Sequence, residues 1–228
     1  MGGYCERLSA GFWAEPANAL TNLAFLVAAV LAAVALRRSP GRAPLDLAML
    51  TGLLAVISVG SFLFHTLATG WAGLADTVPI GLFMLAYVVV FARRFGGVRP
   101  ALAWLAAPVF VAFAAAVGVA AAPLPVPVPV PYLAALLGLV GLTGWLARRP
   151  DPGRRRYLGE FGAATGLFAV SLTLRQLDGP LCPAWPLGTH FGWHLCNAAV
   201  LYLLVRAATR RAVAERAAAQ RLPVTDAR

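Results

Sequence analysis

The chain has 228 residues, of which 60% are hydrophobic, and its mean hydropathy is +0.75. Soluble domains average nearer ~45–50% apolar residues, so this composition excludes an ordinary soluble domain and indicates a polytopic membrane protein. The net charge of +10 does not indicate nucleic-acid binding, because every basic side chain outside histidine is arginine and the arginines sit in short clusters between apolar runs. Three cysteines are too few for a disulfide scaffold. The stretch Met1–Phe12 is too polar, and lacks the basic start, for a cleaved signal peptide.

Seven apolar runs follow in order, at about 17–36, 45–68, 74–92, 101–122, 131–147, 157–177 and 187–206. Each is near the ~20 residues that a helix needs to cross the hydrocarbon core. The fold expected is an all-α, seven-transmembrane helix bundle over 17–207, preceded by an outer segment 1–16 and followed by a basic tail 208–228. The Gly70-Trp71-Ala72-Gly73 stretch reads as a tight turn, and the proline-rich 123–131 as an extended polyproline II connector. Gly138, Gly141 and Gly144 predict a less regular fifth helix, and Gly162 and Gly166 a close helix–helix approach.

Arginine placement sets the expected orientation. Arg37, Arg38 and Arg42 follow the first run; Arg93, Arg94 and Arg99 the third; Arg148, Arg149 and Arg154–Arg156 the fifth. Arg206, Arg210, Arg211, Arg216, Arg221 and Arg228 follow the seventh, and only Arg7 and Arg175 fall on the other side. The positive-inside rule then puts the N-terminus outside and the C-terminus in the cytoplasm, which requires an odd number of spans. The basic tail is expected on the anionic inner leaflet or disordered.

Ionisable residues inside apolar runs are expensive and mark functional sites by default. Ser61 and His65 share a helix face at four-residue spacing, and Asp76 opens the next run. His190 and His194 are likewise four apart, a chelating spacing. With the orientation above, His65, Asp76, His190 and His194 fall at one depth near the outer surface. Three histidines leave the fourth tetrahedral position open, as in catalytic zinc sites. Asp76 can take the proton of a zinc-activated water or orient a histidine, and Ser61 can donate to a developing oxyanion.

These residues, Ser61-x3-His65, Asp76 and His190-x3-His194, resemble the CREST superfamily of membrane hydrolases. The segment Tyr4-Cys5-Glu6, then Trp13-Ala14-Glu15-Pro16-Ala17-Asn18 and Asn22, is similar to the start of the alkaline ceramidases within it, and Asp178 and Cys182 also fit. The resemblance covers nearly the whole chain. It implies Zn2+ held by His65, His190 and His194, Ser61 and Asp76 as the supporting catalytic pair, and hydrolysis of ceramide or a related N-acyl lipid drawn from the bilayer. It further implies a Cys5–Cys182 disulfide, and the expected orientation puts both cysteines on the oxidising side. A Ca2+ site found in some members matches Glu6 and Glu15, but Gly3 stands where an Asp is expected, and Arg7 is placed to substitute for the cation. Asn18 and Asn22 are expected to bond between helices, and Cys196 to pack. Phe62, Phe64, Leu67, Phe83 and Trp193 are candidates for an acyl-chain lining.

The alternative from another class is a seven-helix receptor of the adiponectin-receptor type with weak or no hydrolysis. A retinal protein is excluded because the chain has no lysine for a Schiff base. The arginine-only, alanine-rich composition points to a GC-rich bacterial genome, hence to a bacterial inner membrane with the site facing the periplasm.

Overall fold

A computed structural model describes residues 4–124 and 128–221. Gly3, the middle of the proline-rich connector (125–127) and the end of the basic tail (222–228) lie outside the described residues. Among those described, seven helices are long and apolar enough to cross a membrane: α1 (Pro16–Arg38), α2 (Leu45–Leu67), α3 (Gly70–Arg94), α4 (Pro100–Ala121), α5 (Val130–Ala147), α6 (Pro152–Leu181) and α7 (His190–Gln220). They contain no strand among the described residues, as expected for an integral multi-pass membrane protein. Each helix packs on the next in sequence, and α7 closes the ring onto α1 while also reaching α2 and α3. The outer faces carry bare Leu and Val, such as Val27, Val30 and Leu31 on α1 and Val109 and Val111 on α4. In water such a surface would be a liability; in lipid it is the solvent-matched face.

Several local expectations change. Residues Gly70–Gly73 form the first turn of α3 rather than a break. The reversal needs only Ala68, left-handed at φ 48°, and Thr69, extended. Glycine is tolerated there because a helix's first turn makes few intrahelical bonds. A Cβ added at Gly60 would land on the Ala75 carbonyl, so this glycine lets α2 and α3 touch backbone to backbone. Gly162 and Gly166 instead have nothing within 4 Å, so the predicted close approach is not made there. Helix α5 is continuous through Gly138, Gly141 and Gly144, and Phe110 of α4 packs beside Gly138. At the end of the proline-rich stretch, Val130 and Pro131 already belong to the first turn of α5, where a missing N–H costs nothing.

Helix α7 runs 31 residues, about 46 Å at 1.5 Å per residue, well beyond a ~30 Å hydrocarbon core. The boundary expected at 208 therefore falls inside a helix, with Ala207, Ala208, Thr209 and Ala212 buried. Salt links hold this extension against the bundle. Arg94, only 5% exposed, donates to Asp46 at 2.7 Å and to Glu215 at 3.1 Å. Arg211 donates to the Arg94 carbonyl at 2.9 Å, Arg216 to the Pro40 carbonyl at 2.6 Å, and Arg210 pairs with Glu160. The arginine clusters separated in sequence thus meet at one end of the bundle.

Gly60→Ala is expected to force α2 and α3 apart and to cost about 1–3 kcal/mol, the usual scale of overpacking. Thermal unfolding of detergent-purified protein should show a lowered midpoint; an unchanged one would mean that the contact is loose.

Candidate metal centre

His65 lies in the last turn of α2, and His190 and His194 in the first two turns of α7. These two helices meet at the end of the bundle opposite the arginine clusters. The ring centroids are 4.7 Å apart for His65–His194 and His190–His194, and 5.2 Å for His65–His190. One nitrogen from each lies within 4.8 Å of the others, so the group can hold a metal ion. All three side chains are buried.

What the remaining nitrogens do decides the chemistry. His65 Nδ1 meets Glu15 Oε2 at 2.5 Å, while its Nε2 is buried without a partner. An ionised carboxylate can only accept, so Nδ1 carries the proton and Nε2 keeps its lone pair. His194 Nδ1 meets Thr21 Oγ1 at 2.9 Å. The single Thr21 proton is turned to the carbonyls of Ala17 (2.7 Å) and Asn18 (3.1 Å), so His194 donates and its Nε2 is the free nitrogen. His190 Nδ1 is also buried without a partner. Unsatisfied imidazole nitrogens converging in an apolar bundle cost free energy unless a ligand fills them. The donor set, three imidazoles of which His65 and His194 are oriented by outer partners, fits zinc.

The N-terminal segment forms the cover. Tyr4 stacks on His190 with centroids 3.6 Å apart. Burial pushes its phenol well above the usual value, with the Asp76, Tyr132 and Glu15 charges adding to this against Arg175, so it stays neutral. Burial by itself would raise the Glu15 carboxyl too, but hydrogen bonds from His65, Arg7 and Asn18 and the His65 charge outweigh it and hold the pKa below the ordinary carboxylate value. Arg7 pairs with Glu15 and donates to the His65 carbonyl at 2.8 Å. Glu6 accepts from the Ala17 and Asn18 amides at 2.6 and 2.9 Å, capping α1. In this arrangement the carboxylates of Glu6 and Glu15 fit N–H donors rather than the six to eight oxygens round a calcium ion.

Asp178 ties the pieces together. Its carboxylate accepts from the amides of Thr189 (2.8 Å), His190 (3.0 Å) and Cys5 (3.0 Å). Gly188, at φ 68°, permits this approach, since a Cβ there would meet both Asp178 and Cys5. A disulfide joins Cys5 to Cys182, with Cα atoms 5.2 Å apart. Ser61, 3% exposed, and Asp76 directly follow Gly60 and Ala75, the residues at which α2 and α3 touch. An apolar cavity of about 150 Å³ runs beside the cluster among α1 and α3–α7, lined by Phe25, Phe83, Tyr132, Phe168, Trp193 and Asn197 among others. Phe25 lies against His194 and Trp193 against His190, so this cavity borders the metal centre.

A family model described as Ceramidase matches residues 4–221. The chain belongs to the ceramidase family. No curated protein matches the sequence. The match takes in every residue of this ceramidase-family site, from Tyr4 to His194.

The three histidines come together. Phe83 and Trp193 line the cavity, whereas Phe62 packs on Phe12 and Trp13, Phe64 faces Tyr4, and Leu67 is 38% exposed. The Asn18 and Asn22 side chains bond locally, to Glu15 and to the Asn18 carbonyl, while the Asn22 carbonyl accepts from Ser58 of α2 at 2.8 Å. The histidine-orienting roles of Glu15 and Thr21, and the Tyr4 cover, were missed by sequence reasoning. Glu15 and Thr21 carry a signal in retrospect: both are hydrogen-bonding residues within one or two turns of the α1 start, at the depth of the histidines. Glu15→Gln should weaken metal binding roughly 10–100-fold, the scale for a lost histidine-orienting partner. Competition with a chromogenic chelator measures this, and unchanged affinity would remove Glu15 from the site.

Proposed function

We propose that this protein is a zinc-dependent intramembrane amide hydrolase, cleaving ceramide or a related N-acyl lipid to a fatty acid and a sphingoid base or amine. The observation that carries the reading is the buried His65–His190–His194 cluster with unfilled nitrogens, in a chain of the ceramidase family. His65, His190 and His194 would hold the zinc, which when bound lowers the pKa of a water to about 7 and polarises a carbonyl. The lipid chain lies in the apolar cavity and brings the amide to the outer end of the bundle.

Asp76 acts as general base toward the attacking water and returns the proton to the departing amine nitrogen. Ser61 has one hydroxyl proton. While Asp76 is ionised that proton points to the carboxylate; once Asp76 is protonated, it is released to donate to the oxyanion of the tetrahedral intermediate. Tyr4 and the disulfide-bound N-terminal segment exclude bulk water, which strengthens each of these contacts. The N-terminus and the site face the outer, periplasmic side of a bacterial inner membrane, and the arginine-rich end faces the cytoplasm; the disulfide supports this sidedness, since disulfides persist in oxidising compartments.

The test is fatty-acid release from a panel of N-acyl lipids, ceramide included, by detergent-purified protein with and without a zinc chelator. Chelator-sensitive release is expected. Absence of release by protein with zinc confirmed in it would favour the receptor-type alternative. Asp76→Asn should retain zinc and lose about 10²–10⁴-fold in turnover, and full activity in that variant would end its role as base. His65→Ala and His194→Ala should lose stoichiometric zinc by elemental analysis; metal retained in both would overturn the centre.

A further inference from the structure

Arg175 is the feature that the hydrolase reading leaves unused. It lies on α6 near its outer end, one of two arginines away from the basic clusters. The other, Arg7, is paired with Glu15. Arg93, Arg94, Arg154, Arg210 and Arg211 also sit against carboxylates. Arg175 makes no hydrogen bond or ion pair among the described residues, although it is partly buried. Its guanidinium lies over two aromatic rings, 5.4 Å from the Tyr132 centroid and 5.7 Å from that of Trp193.

Those two rings are where the cavity and the metal centre meet. Both line the apolar cavity, and Trp193 lies nearly parallel to His190 with centroids 6.4 Å apart. Tyr132 and Trp193 pack edge to face, 5.0 Å between centroids, so a guanidinium over both rings sits beside the histidine cluster. A stacked guanidinium keeps its N–H fork free in the ring plane, ready for bidentate pairing with an anion. A partly buried, unpaired cation at a membrane-embedded site is costly and is functional by default.

We propose that Arg175 forms an anion subsite beside the metal centre, and that the preferred substrates are N-acyl lipids whose amine half carries a carboxylate or phosphate close to the amide. The proposal rests on the hydrolase reading for the position of the amide. The lipid chain enters the cavity past Trp193 and Tyr132, the amide meets the histidine cluster, and the anionic group pairs with the guanidinium. A neutral ceramide headgroup offers only hydroxyls there and leaves the cation uncompensated, which is a selection against it. Arg175 is thus a specificity-determining residue rather than a catalytic one.

The experiment compares four matched oleoyl amides on full-length, detergent-purified protein: N-oleoylglycine, N-oleoylethanolamine phosphate, neutral N-oleoylethanolamine and an oleoyl ceramide. Both kcat/KM for fatty-acid release and Kd by tryptophan quenching are read. At least one anionic amide should be preferred over the neutral ones by about tenfold or more, the scale of one charge-assisted contact. The glycine and phosphate arms distinguish a carboxylate from a phosphate headgroup. Arg175→Gln should erase that preference through KM, with kcat and the neutral amides little changed, and Arg175→Lys should restore part of it. Equal use of neutral and anionic amides by the wild type, or an equal loss on all four in Arg175→Gln, overturns the subsite. If no amide is hydrolysed, the hydrolase reading fails, and the same four Kd values still decide whether an Arg175-dependent anion preference exists.

Discussion

Imidazoles that converge inside an apolar bundle need partners to fix their tautomers, and two of the three here have one. This constraint organises the histidine end of the protein. His65 needs an acceptor and finds Glu15; His194 needs one and finds Thr21. Neither partner lies on the helices that carry the histidines. Glu15 is the N-cap residue of α1 and Thr21 lies in its second turn, so this end of α1 must be held in register with α2 and α7 to within a hydrogen bond. Arg7, the Glu6 cap, the Cys5–Cys182 disulfide and the Asp178 carboxylate supply that fixation from four directions.

The two ends of the bundle use the same kinds of interaction for different purposes. At the arginine-rich end, Arg94 is enclosed by Asp46 and Glu215, and Arg211, Arg216 and Arg210 fasten the long α7 to α3, the α1–α2 connection and α6. Each of these links joins a cation to a carboxylate or a carbonyl, as a structural clamp requires. At the histidine end the polar groups are deliberately incomplete: His65 Nε2 and His190 Nδ1 have no partner, and Arg175 has none among the described residues. Incomplete satisfaction in low dielectric is costly, and it is concentrated where a ligand can relieve it. An aromatic cluster backs the arginine-rich end, with Phe91, Phe95, Tyr157 and Phe161 packed edge to face and Arg210 over the Tyr157 ring.

The seven spans and the convergence of His65, His190 and His194 were legible in the sequence because each rests on a strong term: hydrocarbon length for the helices, and the cost of ionisable groups in lipid for the site. Glycine patterns were less informative. Gly162 and Gly166 have the spacing of a packing motif but face outward, while Gly60, unremarked in sequence, makes the backbone contact. Spacing tells which residues share a face, and says nothing about which face meets a neighbour. The extension of α7 was hidden for a related reason. Its hydropathy ends near Arg206, yet alanine-rich helix continues because salt links to the neighbouring inner ends replace burial in lipid as the stabilising term. The role of Glu15 was masked by its resemblance to a calcium ligand, since one carboxylate serves equally well as a metal ligand and as a histidine acceptor.

The disulfide closes a sequence separation of 177 residues. For a freely unfolding chain, the loop-closure argument would assign about 5 kcal/mol to it. That figure overstates its effect on the bundle, because helices in a bilayer stay helical when their packing is lost, and the membrane confines the ends of the loop. What the bond does control is the N-terminal segment, which has few apolar contacts of its own and would otherwise exchange with water. Reduction should therefore loosen Tyr4, Glu6 and Glu15 before it loosens α1–α7. The metal centre, not the fold, is what depends on the oxidised state, because the segment that the disulfide anchors supplies the acceptor that sets the His65 tautomer.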